Sequence, residues 1–422
     1  MSIDWKKIAW GGGILAVILI VALLLRFFFG GTSATVTPTP GGGSFGGQGN
    51  TTSVSPQTSQ TAPPPLFVSG GAQNIPAVFK IADGPVAGAV LIQTLHPTTT
   101  IARYISASDG HVYDLPLDSP GAVPRTVSNT TIPGISRVLW SKNGTVAVAQ
   151  YIDSSTTVRT LSLQFSMSSA TSSASRTPTG IHFFPDNLRG IAISPDGASL
   201  AYLKASPGGG VDGFTAPISG VGEKKIFSFP LSQVALSWPS VGSFLLYTKS
   251  AAGVPGVAFS IDAKSGATER LISASGLTAG MNPAASVLVY TTDAGASVRT
   301  FVEYLRTGAV RSLSLSAITF GPLFPEKCSW SAASSAMLYC AAEQSVNTPS
   351  GFLDLWYQGR ASAPDSLLSL DTSSGTTTVL AVPSSFVGAE APDIIALGGS
   401  PDGKYLFFIT KHTRTLWGVR LP

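Results

Sequence analysis

Ile193-Ser194-Pro195-Asp196-Gly197-Ala198-Ser199-Leu200-Ala201-Tyr202 is a turn followed by an apolar strand, and Gly399-Ser400-Pro401-Asp402-Gly403-Lys404-Tyr405-Leu406-Phe407-Phe408 writes the same unit again. Pro presets φ, Asp bonds its own backbone and Gly accepts positive φ, so Ser-Pro-Asp-Gly closes a tight turn anywhere. The information lies in its repetition at a fixed distance from an apolar strand. Looser versions stand at Trp140-Ser141-Lys142-Asn143-Gly144, Trp238-Pro239-Ser240-Val241-Gly242, Asn282-Pro283-Ala284-Ala285 and Trp330-Ser331-Ala332-Ala333-Ser334, each before an apolar run. Equivalent positions in those runs are Ala149, Tyr202, Tyr247, Tyr290, Tyr339 and Phe408. Their spacing is roughly that of a four-stranded propeller blade, with one large insertion between the last two.

The flanking runs complete the unit. A short strand precedes most of the turns (Val138–Trp140, Gly190–Ile193, Val234–Trp238, Leu277–Met281, Ile394–Leu397), and a third strand follows the second. Asp262-Ala263-Lys264-Ser265-Gly266 and Asp371-Thr372-Ser373-Ser374-Gly375 are matching turns toward an outer strand. A further unit without the marker turn fits upstream, over Val86–Ile92, Ile101–Ile105, His111–Leu117 and Arg125–Val127. The last unit holds only three strands before Pro422, and Ala77–Ile81 is available to supply its outer strand and close the ring. Closure removes the unpaired edges that invite aggregation. The expected fold is therefore all-β: a β-propeller over residues 77–422, with seven blades as the count and six or eight as the alternatives. This pattern resembles the WD40-like repeat of bacterial proteins such as the TolB propeller, and the propeller of dipeptidyl peptidase IV-type enzymes. The likeness rests on the two Ser-Pro-Asp-Gly units. The WD dipeptide and a peptidase domain are both absent from the sequence.

Residues 8–29 are apolar apart from Arg26 and the Gly11-Gly12-Gly13 run. As a helix they would extend about 33 Å, enough to cross a hydrocarbon core of about 30 Å. Lys6 and Lys7 precede the span, which by the positive-inside rule leaves residues 1–7 in the cytoplasm and everything beyond the span outside. A cleaved signal peptide is the alternative, and its apolar core is ordinarily shorter. Residues 30–76 are a Gly, Pro, Ser and Thr linker, and Phe27 to Phe79 holds no charged side chain. It reads as a disordered stalk. The expected protein is single-pass in the cytoplasmic or plasma membrane, with its propeller in the periplasm or at the cell exterior. Asn50, Asn129 and Asn143 match the glycosylation acceptor pattern, a triplet common by chance.

Of the 422 residues 11% are charged, and the net charge of +4 comes without any run of Lys or Arg, so nothing points to nucleic acid. Cys328 and Cys340 fall opposite one another if their strands form a hairpin centred on Ser334. Outside the cytoplasm that pair is expected to form a disulfide, two buried thiols being the alternative. His96, His111, His182 and His412 are scattered, without metal-ligand spacing, and no nucleophile elbow or phosphate-binding loop follows a strand, so no metal or cofactor is expected. Asp196, Gly197, Asp402 and Gly403 repeat, which marks them as turn-holding residues, because catalysis needs one asymmetric set. The recurring Trp140, Trp238 and Trp330 pack between blades or form a platform. Asp354, Trp356, Tyr357 and Arg360, inside the insertion that breaks the repeat, are the candidate contact surface, the alternative being an insertion packed over its own blade.

The expected function is protein binding or scaffolding at the cell envelope, with a membrane anchor and an envelope or surface protein as partner. The alternatives are a surface hydrolase or lyase with its site on the axial face, and a structural subunit of a secretion or pilus-type assembly. Converging Asp, His and Arg in the central mouth would favour the enzyme; an apolar or aromatic mouth favours binding.

Overall fold

A computed structural model of the chain describes residues 77–95, 98–165, 177–295, 298–312, 320–343, 348–386 and 392–422. Among them lie seven four-stranded antiparallel sheets, each a meander from an inner to an outer strand. The inner strands are Val86–Leu95, Ile135–Trp140, Gly190–Ile193, Val234–Ser240, Thr278–Met281, Cys328–Trp330 and Ile394–Gly399, which head blades one to seven. Blade seven takes its outer strand from the other end of the chain: Val78–Ala82 lies against Leu416–Arg420, with Val78 opposite Val419 and Phe79 opposite Gly418. The ring is thus closed and has seven blades. The span expected at residues 8–29 and the linker at 30–76 lie outside the described residues. No helix among the described residues is long and apolar enough to cross a membrane.

Seven apolar clusters fill the seven seams between neighbouring blades. Leu91, Ala102 and Tyr104 of blade one meet Tyr405, Phe407 and Leu416 of blade seven. Leu245, Ala258 and Leu277 join blades four and five to Leu288 and Tyr290. Both faces of each sheet are covered, which explains apolar runs such as Leu200–Leu203 where a half-exposed strand would alternate. Full burial of each such Leu stabilises the seam by roughly 2–3 kcal/mol. The positions matched in sequence all pair with an inner strand: Ala149 with Val138, Tyr202 with Ile191, Tyr247 with Ala235, Tyr290 with Ala279, Tyr339 with Ser329 and Phe408 with Leu397.

The marker turn is a hydrogen-bonded clasp. Ser194 Oγ donates to Asp196 Oδ1 at 2.5 Å and accepts from the Ser199 N–H at 2.9 Å, while Asp196 Oδ1 accepts from the Ala198 N–H at 3.0 Å. Ser400, Asp402, Lys404 and Tyr405 repeat this set. In blade two Asn143 stands for the Asp, and in blade five Asn282 stands for the Ser, accepting from the N–H groups of Ser286 and Val287. Gly197 and Gly403 have φ of +76° and +71°, a region that L side chains seldom enter. Asp402 also accepts from Thr100 and Gln93 of blade one, so the clasp of blade seven helps seal the ring.

Cys328 and Cys340 are paired across the first hairpin of blade six, with Cα atoms 4.1 Å apart, and form a disulfide.

Candidate functional site

The inner strands run in parallel around an axial channel, whose cavity measures about 940 Å³. One mouth carries the clasps. The other, the entry mouth, carries the starts of the inner strands and the turns between second and third strands. Trp140, Trp238 and Trp330, from blades two, four and six, line the channel near the clasp mouth, with Met281, Phe407 and Ile409 among the apolar remainder. They pack locally as well: Trp238 lies 4.7 Å from Phe244 and Trp140 lies 5.9 Å from Phe165, centroid to centroid. The charged residues of the lining are Arg137, Lys142 and Arg414, all cationic.

Arg137 and Arg414 both line the channel on the side of the entry mouth. Arg414 sits in the turn after the second strand of blade seven at φ +56° and reaches over two blades, donating from Nε to the Val86 carbonyl at 3.2 Å and from Nη2 to the Ser136 carbonyl at 2.9 Å. Arg137 is the next residue after Ser136. Its guanidinium has no hydrogen-bond or ion-pair partner among the described residues, and desolvation holds it below the usual arginine range. Desolvation acts on Arg414 in the same direction. Arg137 is nonetheless exposed to water. The sequence holds no signal for this placement, since the two residues come to one cavity only when the ring closes.

The opposite arc of the entry mouth is covered by the insertion. It joins the second and third strands of blade six and forms a short helix, Phe352–Tyr357, where the sequence pattern predicts only an irregular loop. Phe352, Leu353 and Trp356 are buried against Phe324 and Ala363. The insertion is tied to three other blades. Asp354 Oδ2 accepts from the Ala252 N–H of blade four at 2.9 Å. Asp293 of blade five accepts from Ser350 and from the Gly351 N–H, both at 2.8 Å. Lys411 of blade seven donates to the carbonyls of Trp356 and Ala361 at 2.6 and 3.0 Å.

Beneath the helix lies a buried charge cluster. Lys327 Nζ is 2.7 Å from Asp365 and 2.9 Å from Asp393. Lys327 and Lys411 also stand over the Trp356 ring, 4.9 and 4.5 Å from its centroid, a cation–π arrangement. Burial pushes the Asp365 carboxyl up to about 6, against the pull of Lys327. Beside this cluster Glu326 accepts hydrogen bonds from Thr278, from Tyr357 at 2.7 Å and from Tyr247 at 3.4 Å. Desolvation of their hydroxyls, and then the Glu326 charge, raise both tyrosines above their ordinary value, although one side of the Tyr357 ring stays exposed.

Of the four contact candidates, Trp356 is therefore buried and Asp354 is engaged with blade four, while Tyr357 and Arg360 are exposed. The insertion packs over its own blade and the neighbouring ones, and it presents Leu355, Tyr357, Gln358 and Arg360 outward. His111, His182 and His412 belong to blades one, two and seven; His96 lies outside the described residues. Among the described residues no group of three His, Cys, Asp or Glu side chains stands close enough to hold a metal ion.

No family model and no curated protein matches the chain. Solved structures do. TolB from Acinetobacter baumannii matches at 13% identity and a TM-score of 0.41, over 68% of this chain and 62% of that one. This chain thus spans less than two thirds of the TolB chain. An oligogalacturonate lyase in complex with manganese matches at 12% and 0.49, over 81% and 99%. The β-propeller domain of the Trilobed protease from Pyrococcus furiosus matches at 9% and 0.49, over 78% and 95%. The likeness is one of fold.

Proposed function

We propose that this protein is a membrane-tethered binding module, whose propeller stands outside the cytoplasm and receives an envelope or surface protein at its entry mouth. The observation that carries the reading is the insertion. A seven-bladed ring needs no helix between the second and third strands of blade six, yet this one is fastened to blades four, five and seven and holds Leu355, Tyr357 and Arg360 outward on a rigid base. Rigid presentation lowers the ordering cost of association. The Cys328–Cys340 disulfide is consistent with an oxidising compartment. The apolar span at residues 8–29 supports the tether, which would raise the propeller's local concentration near envelope partners.

The test is crosslinking in intact cells with tagged full-length protein, followed by mass spectrometry. Beside it run a chain lacking residues 1–76 and a chain with residues 352–360 replaced by a short linker. A dominant partner present with the full-length chain and lost with the linker replacement supports the reading. A partner profile that the replacement leaves unchanged overturns it.

A further inference from the structure

The axial channel is a second feature that the binding role above does not use. Its lining carries Arg137, Arg414 and Lys142, and no Asp, Glu or His among the described residues. Arg137 is exposed to the water of the channel and Arg414 is half-buried, so both can be reached by a ligand from solution. Arg414 spends two of its donors on backbone carbonyls, which orient it without neutralising it. Arg137 spends none on the protein. Arg414 is also held at positive φ, a conformation that costs energy and persists where the surroundings enforce it.

The spacing along the channel adds a second constraint. From Arg137 to Trp140 the inner strand of blade two advances three residues, about 10 Å. Arg137 and Arg414 thus stand toward the entry mouth and the three tryptophans toward the clasp mouth, where Lys142 also lies. A cavity of about 940 Å³ lies within the size range of small-molecule sites, which pair an apolar lining with a few oriented polar groups.

We propose that the channel binds a small amphiphilic monocarboxylate, its head on Arg137 and Arg414 and its apolar body directed along the inner strands toward Trp140, Trp238 and Trp330. A planar carboxylate matches the guanidinium fork of Arg137 bidentately, and one negative charge suits a channel whose remaining surface is largely apolar. The arc of blades one and two is the route of entry, since the insertion is fastened to blades four, five and seven.

The probe is biphenyl-4-carboxylate, whose rigid body is comparable in length to the stretch from Arg137 to Trp140. Binding to the full-length chain in a nonionic detergent is measured by calorimetry and by quenching of tryptophan fluorescence. The neutral biphenyl-4-carboxamide and a biphenyl-4-methylammonium salt run beside it. Saturable binding of one carboxylate is expected, with the carboxamide at least tenfold weaker and the ammonium weaker still. R137Q is expected to lose tenfold or more in affinity while its unfolding midpoint stays near that of the parent. Equal binding of carboxylate and carboxamide overturns the proposal, as does unaltered affinity in a folded R137Q, or no saturable binding beyond the detergent blank. If R137Q does not fold, the charge series on the parent chain decides by itself.

Discussion

Trp356 donates its indole N–H to both oxygens of Asp393, at 2.7 and 2.9 Å, and the same carboxylate lies 2.9 Å from Lys327 and 3.7 Å from Lys411. One acid from the start of blade seven therefore fastens the inserted helix and neutralises a buried lysine of blade six. Asp393→Ala leaves two cations against Asp365 alone and is expected to cost about 3–5 kcal/mol. Trp356→Phe keeps an aromatic face beneath the two lysines but replaces the indole with a smaller ring and removes its hydrogen bond to a charged group, a bond worth about 1.5–3 kcal/mol. Denaturant unfolding of both variants checks the order; a larger loss for Trp356→Phe would sink it.

Asp365 makes the fold sensitive to pH. Its folded carboxyl is pushed up to about 6, from an ordinary 3.8, so between those values the folded chain holds a proton that the unfolded chain has released. Stability from this group therefore falls as pH rises from about 4 to about 6, and the loss is complete above about 6. Asp365→Asn removes the dependence. The stability of the variant relative to the parent is expected to rise across that window and to level off above it. Unfolding free energies at pH 4.5, 5.5 and 7 measure the trend; a flat difference contradicts it.

The two Ser-Pro-Asp-Gly turns should differ in tolerance. A Cβ on Gly197 would meet Ser141 Cβ at 2.8 Å, whereas one on Gly403 would meet Ala333 Cβ at 3.6 Å. Both positions carry positive φ, which costs an L residue about 1–2 kcal/mol. Gly403→Ala is expected to show that cost alone and Gly197→Ala a larger one, because Ser141 belongs to the clasp of the preceding blade. Thermal midpoints of the pair would settle the comparison, with equal losses telling against it.

The disulfide spans 12 residues, a short loop, so Cys328→Ser with Cys340→Ala is expected to cost about 3 kcal/mol by the chain-entropy estimate. The parent under strong reductant should move by a similar amount. No change in denaturation midpoint on reduction would show the bond to be dispensable.

A chain beginning at Asp83 lacks the strand Val78–Ala82 and exposes the edge of Leu416–Arg420. Lower stability and concentration-dependent aggregation are expected. A peptide covering residues 77–82 should restore both by adding the strand back. Light scattering with and without the peptide reads the outcome, and a fully soluble, stable truncated chain would refute the closure's importance.

What could be read from the sequence is what acts over a few residues. Ser194 and Asp196 hold their clasp within six positions, so the repeat, its phase and the ring were legible from turn chemistry and apolar runs. Closure by Ala77–Ile81 came from a missing fourth strand. Cys328 opposite Cys340 was equally local, being a hairpin register. The insertion showed only as a broken repeat: Phe352–Tyr357 becomes a helix because Phe324, Ile395 and the Lys327 cluster give it a surface to fold on. Lys327, Asp365 and Asp393 come from blades six and seven, and Arg137 and Arg414 lie far apart in the chain. Such sites arise when blades dock and carry no spacing to read.

Val78 paired with Val419 also sets an order of events during synthesis. Blades one to six are local meanders, each able to assemble as its own residues leave the ribosome. Blade seven cannot, because its outer strand is made first and must wait for the residues around Leu416–Arg420. Throughout that interval the nascent chain is an open arc with adhesive edges at both ends. A stop or a proteolytic nick just before Leu416 would thus remove few residues and yet leave the whole ring unsealed, exposing it to degradation as an unfinished protein.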